Sequence, residues 1–170
     1  NMGSPERMSY TVIGDPVNAY YLEVDANSGG DRVVVLDSSG AETWLKTTAS
    51  SVYVVGSTRS SKAVNIKGDI DKAYVTGSRV VGTVDFGDSM TLDNVYVSDC
   101  RNAKVRVGDA VVSLDLIEMN ADAGQVITES GGAGSSFNVA GGKLSYHRDA
   151  TEAVSAVNVR GGTVEWNGSG

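Results

Sequence analysis

Short runs of β-branched and aromatic residues recur along the chain at nearly constant spacing. They begin at Val52 (VYVV), Tyr74 (YVTG), Val95 (VYVS), Leu116 (LIEM), Phe137 (FNVA) and Val157 (VNV), with steps of 22, 21, 21, 21 and 20 residues. A second series falls between them at Val64, Val84, Val105, Val126, Tyr146 and Val164, with steps of 20, 21, 21, 20 and 18. Two columns sharing one period are the mark of a repeat architecture. The runs are two to five residues long and bounded by Gly, Ser, Asp and Asn, and no stretch carries apolar residues at i, i+3, i+4 and i+7 over three turns. The pattern therefore predicts an all-β chain in which a unit of about 21 residues winds repeatedly around one apolar core. Such a unit buries its apolar side only by stacking on its neighbours.

Three second-series runs are followed by the same dipeptide, Gly68-Asp69, Gly87-Asp88 and Gly108-Asp109. Glycine there allows a positive φ, and aspartate can bond the turn backbone. Residues 9–50 are less regular. Tyr10–Ile13, Tyr20–Val24, Arg32–Leu36 and Thr43–Lys46 read as strands, either irregular first coils or a small cap over the solenoid end. Asn1 to Ser4 read as a tag remnant with Met8 as the natural start, so residues 1–8 are set aside as remnant or disordered start, and 51–170 hold the repeats.

On this period and turn chemistry, residues 50–170 resemble the right-handed parallel β-helix proteins, the architecture of pectin-lyase-like enzymes, phage tailspikes and surface adhesins. The resemblance concerns architecture and carries no activity with it. The intertwined trimeric β-helix of phage spikes, with three chains around one core, is the alternative geometry.

Composition narrows the picture. Hydrophobic residues make up 41% but aromatics only 6%, so Val, Ile, Leu and Ala must build the core. A net charge of −7 and a pI near 4.6 exclude the basic stripe that nucleic acid requires. Cys100 is the single cysteine, so no intrachain disulfide staples the fold. No run of 18 apolar residues marks a membrane span, and no signal pattern opens the chain.

Alternation along strands places neighbouring side chains on opposite faces. With Val52, Tyr74, Val95, Leu116 and Phe137 inward, Tyr53, Val75, Tyr96, Ile117 and Asn138 face outward as an apolar and tyrosine column. Such a column is either covered within the chain by the N-terminal region or a loop, or it suits self-association as a homotrimer or stacking of a surface glycan on Tyr53 and Tyr96. At the fourth run this register turns Glu118 inward, so Ile117 and Met119 are the competing core pair. The outward second series, Asn65, Asp85, Arg106, Ile127, His147 and Glu165, is mostly polar.

The loop Asp25-Ala-Asn27-Ser-Gly-Gly-Asp31 offers oxygen ligands of the kind that wrap calcium, although a hairpin turn accounts for the same residues. No other cofactor is implied. Asp69, Asp88 and Asp109, if stacked, would set carboxylates roughly 5 Å apart, near the separation used by retaining glycosidases. His147, the only histidine, has no nucleophile at recognisable spacing. Cys100 has no partner histidine.

These features together favour a non-enzymatic structural or receptor-binding β-helix, part of a phage tail spike, tail fibre or surface adhesin. That reading places the chain on a virion or extracellular surface, while the composition leaves a cytoplasmic setting open. The rival is a carbohydrate-active enzyme of pectin-lyase-like architecture, a polysaccharide lyase or glycosidase. A filament protein of the bactofilin kind is a third possibility.

Overall fold

The structure is a computed structural model that describes residues 9–13, 20–24, 32–37, 42–57, 63–87, 90–131, 134–147 and 154–167. Every regular element among them is a strand, and successive strands fall in pairs, one pair to a winding. The first windings are β1 (Ser9–Ile13) with β2 (Tyr20–Val24), and β3 (Arg32–Asp37) with β4 (Thr43–Thr47). Then come β5 (Ser51–Ser57), the long β6 (Ala63–Thr76), which serves two windings, and β7 (Thr83–Phe86). They are followed by β8 (Met90–Ser98) with β9 (Lys104–Val107), the two-residue β10 (Val111–Val112), and β11 (Leu116–Met119) with β12 (Gln125–Thr128). The last two pairs are β13 (Ser136–Val139) with β14 (Lys143–Tyr146), and β15 (Ala156–Val159) with β16 (Thr163–Trp166).

Each strand pairs in parallel with the strand one winding away. One stack runs β1-β3-β5-β6-β8-β11-β13-β15 and the other β2-β4-β6-β7-β9-β12-β14-β16. This is a parallel β-solenoid. Each stack has eight rungs, so seven steps of ~4.8 Å give a rod on the order of 34 Å tall. The core is enclosed within one chain, not shared among three. The strands β1 to β4 run parallel to those that follow.

The second stack puts Val64, Val84, Val105 and Val126 directly in line, all fully buried. Leu144 continues that column, not Tyr146, which lies two residues further on over Thr128. The first stack lines up Val52, Ala73, Val95, Ile117 and Phe137, with Val54, Val75, Val97, Met119 and Val139 as the second inward row. Val75 is therefore a core residue at 0% exposure, contrary to the outward placement expected from alternation, and Tyr74 faces outward, while Ile117 and Met119, both at 0%, form the competing core pair and Ile117 leaves the expected outward column. The slip arises in β6, where Gly68 takes a φ of 127° and lets one continuous strand turn the corner between sheets. The corner is short there, 9 residues from Val64 to Ala73 against 11 from Val84 to Val95, and a one-residue slip exchanges the two faces of a strand.

The Gly-Asp dipeptides do not share one role. Gly87 and Gly108 lie outside the positive-φ region, and a Cβ on Gly108 would come within 2.9 Å of the Gly87 Cα, so close passage of adjacent windings excludes a side chain. Positive φ is met elsewhere by Asp99 and Asp122, whose short polar side chains tolerate it.

Candidate functional site

Parallel, in-register strands bring equivalent side chains into vertical rows, so identical residues become ladders. Val52-Tyr53-Val54, Ala73-Tyr74-Val75 and Val95-Tyr96-Val97 occupy successive rungs of the first sheet. Their tyrosines stack face to face, with ring centroids 4.4 Å apart at 7° for Tyr53 and Tyr74, and 4.8 Å apart at 11° for Tyr74 and Tyr96. The Arg32 guanidinium sits 5.0 Å from the Tyr53 centroid on the rung before. Both faces of Tyr53 and Tyr74 are thus covered, and the ladder presents ring edges and hydroxyls. Burial, followed by the neighbouring Tyr53 and Tyr96, raises the pKa of the central Tyr74 phenol. The column continues through Glu118, Asn138 and Asn158, with Asn158 Nδ2 donating to Asn138 Oδ1 at 2.9 Å. The repeated small-Tyr-Val triplet was the sequence signal for Tyr74, and aligning on tyrosine instead of the first apolar residue finds it.

The outward column of the second sheet reads Trp44, Asn65, Asp85, Arg106, Ile127, Ser145 and Glu165. Here the charges join windings together. Arg106 Nη1 donates to Asp85 at 3.2 and 3.3 Å, and its Nη2 donates to Glu129 at 3.0 Å. Burial works against the guanidinium charge, but the two carboxylates outweigh it and raise its pKa. Lys143 pairs with Glu165 at 2.8 Å, and Lys46 pairs with Glu23. Above the Arg106 pair the sheet surface opens into a cleft of about 220 Å³ lined by Trp44, Asn65, Lys67, Asp85, Gly87 and Arg106, together with Leu45 and Ile66. Asn65 is held by its Nδ2, which donates to Glu42 Oε1 and the Thr43 carbonyl, both at 3.2 Å. The polar outward row gave Asn65, Asp85 and Arg106 from sequence. Trp44 was out of reach, because its strand belongs to the less regular first windings.

The remaining candidates separate clearly. Asp25, Asn27 and Asp31 lie outside the described residues, as does Asp88. Among the described residues no group of three or more His, Cys, Asp or Glu side chains is placed to hold a metal ion. Asp69 pairs with Thr91 in the first sheet, and Asp109 is an exposed turn residue after β9. A different aspartate row exists at the corner. Asp71, Asp93 and Asp115 occupy equivalent places on three windings, with the Asp115 N–H donating to the Asp93 carbonyl at 2.8 Å. Burial first, then Asp115 and Asp71, raise the pKa of Asp93.

His147 is exposed, its Nε2 3.5 Å from Asn167 Nδ2. Cys100 is buried with Sγ 3.7 Å from the Val75 carbonyl, and burial pushes its thiol pKa up, which disfavours the reactive thiolate. No helix is long and apolar enough to cross a membrane among the described residues.

No family model matches the chain, and no curated protein or solved structure shows significant similarity to it.

Proposed function

We propose that the protein is a non-enzymatic structural β-solenoid, a rigid segment of a virion fibre or surface adhesin that packs against two further copies of itself through its first sheet. The tyrosine ladder carries this reading. Three half-buried rings in one flat row give a surface that is apolar along its length and hydrogen-bonding at its rim, a combination suited to contacts that form and stay specific. The polar groups around both sheets support it as well, since they tie each winding to the next in the manner of a load-carrying rod.

Sedimentation equilibrium tests the proposal. The wild-type chain is expected to sediment at three times its monomer mass, and a variant with Tyr53, Tyr74 and Tyr96 all changed to Ser should sediment as a folded monomer. A wild-type chain that stays monomeric at high concentration, or one that cleaves members of a polysaccharide panel, would overturn it.

A further inference from the structure

We propose that the cleft on the second sheet binds a neutral, hydroxyl-rich ring, one hexose unit of a glycan. This inference goes beyond the structural role above and does not depend on self-association, because the cleft and the tyrosine ladder belong to different sheets.

Gly87 gives the first indication that the space is kept open. Its φ lies outside the positive region, so the backbone conformation does not demand glycine. A Cβ at this position would stand 2.6 Å from Asp85 Oδ1 and 3.0 Å from Arg106 Nη1, crowding the ion pair at the cleft. A side chain here would therefore occupy space beside the two charged groups that a ligand can reach.

The lining sets the ligand class. Trp44 supplies an aromatic surface for the C–H groups of a sugar ring. Asp85 offers an acceptor and Arg106 a donor side by side, the pairing that two adjacent hydroxyls satisfy together. Asn65 is fixed in place through its Nδ2, and neither of those bonds uses its Oδ1.

Charge argues against an anion. Arg106 is already neutralised by Asp85 at 3.2 Å and Glu129 at 3.0 Å, Lys67, the other cation of the lining, is engaged in an interaction of its own, and the chain carries −7 overall. A purely apolar ligand fits no better, since it would strip water from that ion pair without replacing the hydrogen bonds. At about 220 Å³ the cleft falls below the range typical of drug-sized ligands, which matches a single ring.

Ligand-observed NMR and titration calorimetry with methyl glycosides of glucose, galactose, mannose and N-acetylglucosamine, and with their short oligomers, test the site. At least one neutral probe should bind, with a Kd on the order of 1 mM for a single ring. Binding should weaken about tenfold or more in Trp44→Ala and in Asp85→Asn, and remain unchanged in Tyr74→Ser. Circular dichroism checks that each variant folds, and if Trp44→Ala does not, Asp85→Asn decides alone. Binding that survives both changes, or no binding by any neutral probe, overturns the proposal. So does binding confined to uronates or sulfated sugars and abolished by salt, which would make the cleft an anion site. None of these results bears on the sedimentation of the chain, so the two proposals fail separately.

Discussion

Gly68 and Gly87 open the same dipeptide in the sequence and are required for different reasons. Gly68 has a φ of 127°, and a Cβ there would lie 1.8 Å from the Thr47 carbonyl oxygen, a backbone atom that cannot step aside. Gly68→Ala should therefore cost more than about 3 kcal/mol by denaturant titration. Gly87→Ala meets only the ends of two partly exposed side chains and should cost about 1 kcal/mol. Equal costs would refute the distinction. From sequence the two were alike, because a glycine is compatible equally with a strained φ and with crowding by neighbouring side chains.

Asp93 carries a second residue-level expectation. Its carboxyl is raised in the folded state by burial and by Asp115 and Asp71, so between the ordinary carboxylate pKa and the folded one the native chain holds more proton than the unfolded chain. The favourable contribution is complete below the unfolded pKa and is lost as pH rises through the folded pKa. Asp93→Asn should accordingly raise the melting temperature at pH 7 and leave it unchanged near pH 3. An equal gain at both pH values would assign the effect to something other than charge.

At the scale of the strand, legibility depended on register. The column through Val64, Val84, Val105 and Val126 was readable because β7, β9 and β12 are short, alternate cleanly and enter after turns of similar length. The facing column slipped at Tyr74 because β6 runs through a corner as one continuous strand, with no break in the strand after Gly68-Asp69 to mark where one sheet stops. The cleft was half legible for the same reason, its polar row belonging to the regular windings and its tryptophan to the irregular ones.

The corrected register makes the tyrosine ladder a testable unit. Tyr74 stacks on two rings and Tyr96 on one, so Tyr74→Ala should destabilise more than Tyr96→Ala. A double-mutant cycle between the two should return about 0.5–1.5 kcal/mol of coupling. Tyr74 is also raised above its ordinary range by burial and by its two neighbours, so the native chain keeps its phenolic proton where the unfolded chain gives it up. Stability from this group is whole below about pH 10 and fades as pH climbs through the folded pKa. Ultraviolet titration of the folded protein should show a late-ionising phenol that disappears in Tyr74→Phe, and a profile identical to wild type in that variant would reject the assignment.

As a whole molecule the solenoid behaves as a stack in which each winding rests on its neighbours only, so stability should vary along the axis. Rungs in the middle are covered above and below, and Val84, Val105 and Val107 are wholly buried there. The last described rung is covered on one side, leaving Val157 at 36%, Val159 at 53% and Trp166 at 46% exposure at positions that are core elsewhere. A tilted run of aromatics, Phe137 to Tyr146 at 5.7 Å and Tyr146 to Trp166 at 4.3 Å, partly closes that end.

Amide exchange should therefore be slowest in β7 and β9 and fastest in β15 and β16. Phe137→Ala removes the ring beneath Val157 and weakens the aromatic closure, so it should speed exchange from β13 onward while leaving β7 and β9 protected. Val84→Asp places an unpaired charge in the axis of a central rung, at a cost of about 4–5 kcal/mol, and should release the windings on both sides of it together. Equal protection in every rung, or a Phe137→Ala variant that exposes β7 as readily as β15, would mean that the rod opens as one cooperative body and that nearest-neighbour stacking is not what holds it.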